Sequence, residues 1–445
     1  MGCTHCVKRC PTEAIRVRDG KARIIKERCI DCGECIRVCP HHAKKAISDP
    51  LSAMDHYRYK IALPAPSLYG QFNNLEDTDI LLTALEHMGF DMVYEVSRAA
   101  ELVSSATRHL MKDPRYSRRP IISSACPAVL RLIRVRFPGL LPNVLPLHPP
   151  VEVAARFAKA EAHAATGIPV EEMGAVFISP CPAKVTAIKM PLGAEQSAVD
   201  CVVAISEIYP PLLAQLKELQ KTEDLTRSGR TGIRWSVSGG EAAATLNERY
   251  LAADGIENVI NVLEDLEDEK FQNLDFVELN ACSAGCVGGV LTVENPYIAE
   301  AKIKHLTQYR PVSCNHVGPG VPQNVQWEAP VEYQPVLQLG QDVKSSMQML
   351  SRIKKIEKHF CGLDCGSCGA PSCRALAEDV AKGFSTEEAC IFVVRDQLQS
   401  MASEIEKISR LLPRLAPAEG KAHQEEKAQP AAPGAADGKN KEEQP

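Results

Sequence analysis

Between about residues 51 and 335 the chain alternates short apolar runs with stretches of helical periodicity. The runs Tyr59–Leu63, Pro120–Ser124, Ala175–Ser179, Val202–Ile205 and Phe276–Leu279 predict buried strands. Asp79–Met88, Ala100–Lys112, Val151–Ala165 and Gly240–Ala252 predict helices. This is an α/β pattern. Upstream, Ala14-Ile-Arg-Val-Arg predicts a short strand between two cysteine-rich runs. Downstream, Arg374–Gly383 predicts a helix. Val394, Leu398, Met401, Ile405, Ile408 and Leu412 then recur at steps of four and three, the seam of a short coiled coil that Pro413 ends. Such a helix pairs with a second copy, giving a homodimer, or packs on its own chain. The expected organisation is a cysteine-rich α+β module over 1–50 and an α/β domain over 51–335. A linker helix over 336–358, a small cysteine-rich domain over 359–393, the coiled-coil-like helix over 394–413 and a disordered tail over 414–445 follow. The tail consists of Ala, Pro, Glu, Lys and Gln with no apolar core formers.

Composition narrows the classes. With 445 residues and 45% hydrophobic content the chain can bury two or three cores. A net charge of −5 argues against nucleic-acid binding. No uncharged apolar stretch of about 18 residues predicts a membrane span, and the N-terminus lacks a basic then apolar leader. The 18 cysteines cluster in ligand spacings and not as a disulfide framework, which points to a reducing, anaerobic cytoplasm.

Cys29-x2-Cys32-x2-Cys35-x3-Cys39-Pro40 is a full bacterial ferredoxin run, and Cys3-x2-Cys6-x3-Cys10-Pro11 supplies the last three positions of another. Cross-ligation assigns Cys10, Cys29, Cys32 and Cys35 to one 4Fe-4S cluster. Cys3, Cys6 and Cys39 then hold the other, which lacks one ligand. The missing cysteine would fall just before Met1, so a later-than-natural start or a fragment is expected; otherwise the centre is held by three cysteines, as in a 3Fe-4S cluster. Zinc is the alternative occupant. Residues 1–60 carry 13 Lys and Arg against 7 Asp and Glu, a basic surplus that suits an acidic electron carrier such as ferredoxin or is an ordinary solvated face. Cys365-x2-Cys368-x4-Cys373-x16-Cys390 resembles the single 4Fe-4S domain of electron-transport complex subunits and corrinoid iron–sulfur proteins. Cys390 is preferred to Cys361 as its fourth ligand, because the longer spacing closes the loop around a helix; zinc is again the alternative.

Four further cysteines stand in Ser-Ser-Ala-Cys126-Pro, Ser-Pro-Cys181-Pro-Ala-Lys184 and Glu278-Leu-Asn-Ala-Cys282-Ser-Ala-Gly-Cys286-Val-Gly-Gly. Each follows an apolar run and is flanked by small residues that let backbone approach a bulky cofactor. These segments resemble the signature segments of FeFe hydrogenases. Ala65-Pro66-Ser67 and Ser236-Val-Ser-Gly239-Gly240 add to the likeness, which covers most of residues 60–295. The resemblance implies an H-cluster, a 4Fe-4S cubane bridged to a diiron unit. Cys126, Cys181 and Cys282 would hold the cubane, Cys286 would bridge to the diiron unit, and Lys184 would contact a cyanide of that unit. Cys201 and Cys314 lack such contexts and are expected to be structural thiols.

The departures from the family pattern concern protons. Ala125 stands where productive members have a cysteine, Ala187 where they have a glutamate, and Pro149 where they have a serine. Val103-Ser-Ser-Ala106 occupies a region expected to carry another acid. Ser179 and Asn280 replace two methionines, and the glycine stretch after Cys286 shortens to Gly288-Gly289-Val290. Alanine and proline carry no transferable proton. The pattern is similar to the sensory branch of the family and implies a hydrogen or redox sensor of low turnover, its state read by a separate signalling protein. The alternatives are a ferredoxin-dependent hydrogenase (2 H⁺ + 2 e⁻ to H2) and a non-catalytic iron–sulfur protein of hydrogenase fold.

Overall fold

A computed structural model describes residues 3–411. The proposed tail over 414–445, with Leu412 and Pro413, lies outside the described residues. Two units are distinguished, Met1–Val393 and Val394–Pro445.

The first unit opens on an antiparallel pair, β1 (Ile15–Arg18) and β2 (Lys21–Ile24), flanked by the short helices His5–Lys8 and Glu34–Arg37. Two parallel sheets follow. One has the order β4 (Met92–Val93), β3 (Tyr59–Pro64), β6 (Met173–Ser179), β7 (Cys201–Ala204), and the other β5 (Ile121–Ile122), β9 (Phe276–Asn280), β8 (Tyr250–Asp254). All seven residues of β6 are buried. Its alternating side chains serve two cores. Ala175 and Phe177 pack with Ala154 and Ala158 of helix Pro150–Thr166, whereas Val176 and Ile178 pack with Leu81 and Leu85 of helix Thr78–His87 and Leu212 of helix Ile205–Glu218. Covering on both faces is why the strand reads as a continuous apolar run and not as an alternation.

The expected helix over Gly240–Ala252 is corrected. Helix ends at Ala244, Leu246 takes a left-handed backbone (φ +56°), and Tyr250–Asp254 is the edge strand β8. Pairing in register with β9 (Leu251 with Val277) and the Arg249–Asp275 ion pair outweigh the helical propensity of an alanine-rich segment.

The C-terminal helices Val343–Glu357 and Cys373–Ala381 share a small core of Ile353, Ile356, Phe360 and Leu376. This piece docks on the N-terminal module. Val17 N donates to Gly369 O (2.8 Å), and Arg18 Nη1 donates to Cys368 O (2.9 Å). Arg16 meets Asp379 through two bonds, Arg18 adds a third, and Arg28 reaches Glu378 at 2.6 Å. Three arginines of the basic surplus therefore face carboxylates of their own chain. Backbone approach is tight at Gly369 (φ +78°), where a Cβ would lie 2.1 Å from Val17 O.

In the second unit, Leu398, Met401, Ile405 and Ile408 of helix Ile391–Leu411 are exposed. Among the described residues no helix is long and apolar enough to cross a membrane.

Candidate functional site

The parallel strands deliver the scattered cysteines to one place. A crevice outside the carboxyl ends of parallel strands is where α/β sheets place ligands. β5 leads to Cys126 and then helix Pro127–Arg136, β6 leads to Cys181 and then helix Pro182–Lys189, and β9 leads to Cys282 and the turn Gly285–Gly288. Cys126 and Cys181 each occupy the N-cap position with proline next, so the proline's missing N–H costs nothing there and the helix's positive end faces the sulfur. The backbone is packed closely around Cys286: a Cβ on Gly289 would lie 2.1 Å from Pro180 O.

Each of these sulfurs feels its neighbours. Burial pushes the Cys181 thiol up to about 12, with Cys282, Cys126 and Cys286 adding like charge and Lys184 opposing. Burial likewise lifts Cys282 to about 11 and raises Cys126, each with Cys286 as a neighbouring charge. Lys184 Nζ donates to Cys286 Sγ at 3.2 Å. Burial alone would lower this amine, but the Cys286 and Cys181 thiolates raise it above its ordinary value. All four of Cys126, Cys181, Cys282 and Cys286 are half-buried. Among the described residues no three His, Cys, Asp or Glu converge tightly enough for a single metal ion. A cubane gives each thiolate its own iron.

Beside Lys184 and Cys286 lies a cavity of ≈ 50 Å³. Ala125, Pro149 and Asn280 line it, so three of the substituted positions face this space and bring at most one polar side chain, an amide. Ala187 lines a neighbouring cavity together with Lys184. Ser179 is turned back on its own loop, its hydroxyl 3.1 Å from Cys181 O. In Val103–Ala106, Ser104 is engaged by Ala100 O and Trp235 Nε1. The Ser67 hydroxyl is wholly buried, lines the same cavity and has no hydrogen-bond partner. An orphaned buried hydroxyl, an ammonium aimed at a thiolate and a set of soft donors fit a polar, anionic iron group.

The other cysteines also group. Burial raises Cys29 (to about 12), Cys32 and Cys35, and Cys10 is a neighbouring charge to each of them. Cys6 has Cys3 and Cys39 as neighbours, and Cys368 has Cys390 and Cys365. Cys373 N is held by Asp364 Oδ1 at 2.6 Å in the same loop. Cys361 and Cys314 are exposed, while Cys201 is buried in β7.

Two residues beside the cysteines are not among the sequence-read site candidates. Arg37, inside the ferredoxin run, donates to Gly288 O (3.0 Å) and bonds the Cys282 sulfur, and Cys32 and Cys282 are neighbouring charges. The second ferredoxin group therefore abuts the scattered four. Arg37→Ala is expected to shift the potential of the cluster at Cys282 to more negative values, because a cation and a hydrogen bond stabilise the more negatively charged reduced state. An EPR-monitored redox titration of both proteins checks this; an unchanged midpoint refutes it. Glu241 is the second such residue. It follows the Gly-Gly turn and lines the cavity.

Three family models match successive stretches of the chain. The model for the iron-only hydrogenase large subunit, C-terminal domain, matches residues 58–252 and 241–290. A 4Fe-4S dicluster model matches residues 1–43, and an Fe-S cluster model matches residues 362–392. The NADP-reducing hydrogenase subunit HndD of Solidesulfovibrio fructosivorans is 24% identical over 325 residues, 59% of this chain and 55% of that protein. Iron hydrogenase 1 of Clostridium pasteurianum is 22% identical over 238 residues, 50% of this chain and 41% of that protein. The chain thus spans about half the length of these curated relatives. One component of an ion-translocating oxidoreductase complex from Methanosarcina acetivorans is 46% identical over 43 residues, 10% of this chain and 16% of that protein. Among solved structures, a variant of FeFe-hydrogenase HydA1 from Chlamydomonas reinhardtii matches with 16% identity and a TM-score of 0.45, covering 55% of this chain and 83% of that one.

Proposed function

The chain belongs to the iron-only hydrogenase large-subunit family, an iron–sulfur redox protein by that membership, and from this premise we propose that it is a hydrogen or redox sensor of low turnover. Cys126, Cys181, Cys282 and Cys286 would hold the cubane and diiron group, and Lys184 would supply a proton-bearing cation toward its anionic ligands. The diiron unit, when bound, supplies the interconversion of H2 with two protons and two electrons. The chain's own residues position and insulate it: Lys184 neutralises the thiolates, and Ala125, Pro149 and Phe177 close the cavity.

Cys10, Cys29, Cys32 and Cys35 would hold one further 4Fe-4S cluster, Cys365, Cys368, Cys373 and Cys390 another, and Cys3, Cys6 and Cys39 a third centre; clusters held there would supply a path for electrons. The hydrogen bond of Arg37 to the Cys282 sulfur, with Cys32 a neighbouring charge, supports one step, and the close approach of Gly366 to Thr4 supports another. The reading includes a cytoplasmic location, a redox carrier and a separate signalling protein as partners, and pairing through the exposed face of helix Ile391–Leu411.

The observation that carries the sensor reading is the cavity wall. Ala125 and Pro149 face the same space as Lys184 and Cys286 and can pass no proton. Loss of a positioned acid or base costs about 10²–10⁴ in rate. After co-expression with the diiron maturation proteins, the protein is expected to show cyanide and carbonyl infrared bands with slow hydrogen evolution. Absent bands would leave a non-catalytic iron–sulfur protein, and rapid evolution from reduced ferredoxin would leave a working hydrogenase.

A further inference from the structure

The sequence places a basic surplus in residues 1–60, but folding uses up its arginines. Every arginine there faces a carboxylate, among them Arg9 with Glu257, Arg28 with Glu378 and Arg37 with Glu34. Unpaired positive charge gathers elsewhere, on helix Val343–Glu357, which leads into the C-terminal cysteine loop. Lys344, Lys354 and Lys355, with Lys358 just beyond, are exposed, and no carboxylate among the described residues lies within ion-pair distance of them. The neighbouring acids are engaged: Asp342 caps the helix at Ser345 N (2.7 Å), Asp364 accepts from Cys373 N (2.6 Å), and Glu387 lies 2.9 Å from His359 Nδ1. Val343 and Met347 are exposed at helical spacing with Lys354 and border an open groove of ≈ 440 Å³ that Leu339 and Leu350 also line. On the inner face, Ile353 and Ile356 are buried in the core against which Cys368 and Cys373 pack. Cys365 and Cys390 are both neighbouring charges to Cys368, so the thiols of this loop face one another as the ligands of one cluster must. Cys361 and Cys365 are exposed, whereas the cysteines of the N-terminal module and the four beside Lys184 are half-buried or buried. Lys8 of the N-terminal module adds a positive charge beside Cys365.

We propose that the outer face of helix Val343–Glu357, with the loop at Cys365, is the docking surface for a small acidic electron-carrier protein that exchanges electrons with a cluster held at Cys365, Cys368, Cys373 and Cys390. This rests on the iron–sulfur reading above and deepens it by giving the redox partner its place. The step moves one electron: the reduced carrier loses it and the cluster gains it, or the reverse, with no bond made or broken. Such transfer needs the two centres close, and among the cysteines assigned to clusters Cys365 is the exposed one. The N-terminal module is covered where the C-terminal domain docks on it, through Val17 with Gly369 and Arg18 with Cys368, so a carrier reaches the chain of clusters at its C-terminal end. The lysines supply long-range attraction, which speeds association with a partner of opposite sign by about 10–10³-fold. Val343 and Met347 add a small apolar contact that fixes the pose. A carrier must leave after each transfer, and a small, mostly charged face suits that better than a broad apolar one: weak electron-transfer encounters bury less than about 1,200 Å².

Binding is measured between the full-length chain carrying its 4Fe-4S clusters and a fluorescently labelled bacterial dicluster ferredoxin, an acidic carrier. The wild-type chain is expected to bind it with an affinity that falls as salt rises. The double variant Lys354→Glu, Lys355→Glu is expected to bind about 10–100-fold more weakly at low ionic strength, because like charges then meet, and to lose most of the salt dependence. Glutamate is as good a helix former as lysine, so the helix stands. Lys21→Glu with Lys26→Glu makes the same charge change at exposed positions of the N-terminal module and is expected to bind as wild type does. Stopped-flow electron transfer from the reduced ferredoxin is expected to slow in the helix variant at low salt and to converge with wild type at about 1 M salt, where charges are screened beyond about 3 Å. Binding and transfer unchanged in the helix variant, or weakened equally in the control, overturn the proposal. Wild-type binding to anionic phosphatidylglycerol vesicles but not to ferredoxin makes the helix a membrane contact and overturns it too. Whether the loop holds a cluster is read separately: Cys368→Ala is expected to remove one 4Fe-4S signal from the EPR spectrum of the reduced chain. If it removes none, the iron–sulfur reading of this loop fails and the transfer step with it, while the binding measurement still decides the docking face.

Discussion

Lys184→Met is expected to leave a folded protein that still carries its 4Fe-4S clusters but retains almost no diiron unit. Lys184 comes off helix Pro182–Lys189, directly after Cys181, and its ammonium sits 3.2 Å from Cys286 Sγ. It is the cation among the ionisable groups that line this cavity, facing Cys286, Glu241 and Glu278. Methionine keeps most of the volume and the flexible stem, so packing loss is small. The charge loss is not small. Removing one partner of a buried pair leaves the other uncompensated at about 3–5 kcal/mol, or roughly a 10²- to 4 × 10³-fold weaker hold on an anionic group at ~1.4 kcal/mol per tenfold. Lys184→Arg is not expected to rescue, since a planar fork cannot replace a compact ammonium in so small a cavity. The check is the intensity of cyanide and carbonyl infrared bands per 4Fe-4S cluster. Wild-type intensity in Lys184→Met would remove the lysine from the site.

Asp379→Ala is expected to release the C-terminal cluster domain from the N-terminal module. Asp379 is the shared acceptor of Arg16 and Arg18, with side-chain exposures of 10% for Asp379 and 6% for Arg16. The Arg16 contact is a two-bond fork (2.7 and 3.2 Å), the geometry in which arginine binds carboxylate best. Removing the carboxylate strands two guanidinium groups. For the buried one the cost is about 3–5 kcal/mol, enough to compete with the backbone bonds and the Arg28–Glu378 pair that remain between the pieces. Hydrogen exchange is expected to accelerate both in residues 359–393 and in Ile15–Arg18, while β6 stays protected. Magnetic broadening between the C-terminal and N-terminal clusters is expected to fall in the same variant. If exchange rises in neither segment, the ion pairs do not hold the domains together. Arg23→Ala, which breaks an exposed pair with Asp19, serves as the control, because such pairs are worth about 0–1 kcal/mol.

The chemistry of this protein was largely legible from its chain. Thiolate spacings in the ferredoxin runs are local, so three or four ligands to a cubane can be read without knowing the fold. β6 was legible for a different reason: a strand buried on both faces reads as a near-continuous apolar run. β8 was not. Tyr250–Asp254 is an edge strand with mostly half-exposed residues, and its only reason to be extended is the partner β9, which lies more than twenty residues downstream.

The sequence by itself determined which residues are ligand candidates, that Ala125, Pro149 and Ala187 carry no transferable proton, and that buried strands end at the cysteines. Residue identity and local periodicity settle those matters. Only the tertiary structure decided which residues share a space. Arg37 meets Cys282 from 245 positions away in the chain, Arg16 meets Asp379 across 363, and Glu241 meets Glu278 in the cavity of Lys184 and Cys286. The reason is physical: a charge acquires meaning from what surrounds it, and burial beside a partner at 3 Å is a property of the folded chain that no spacing along it encodes.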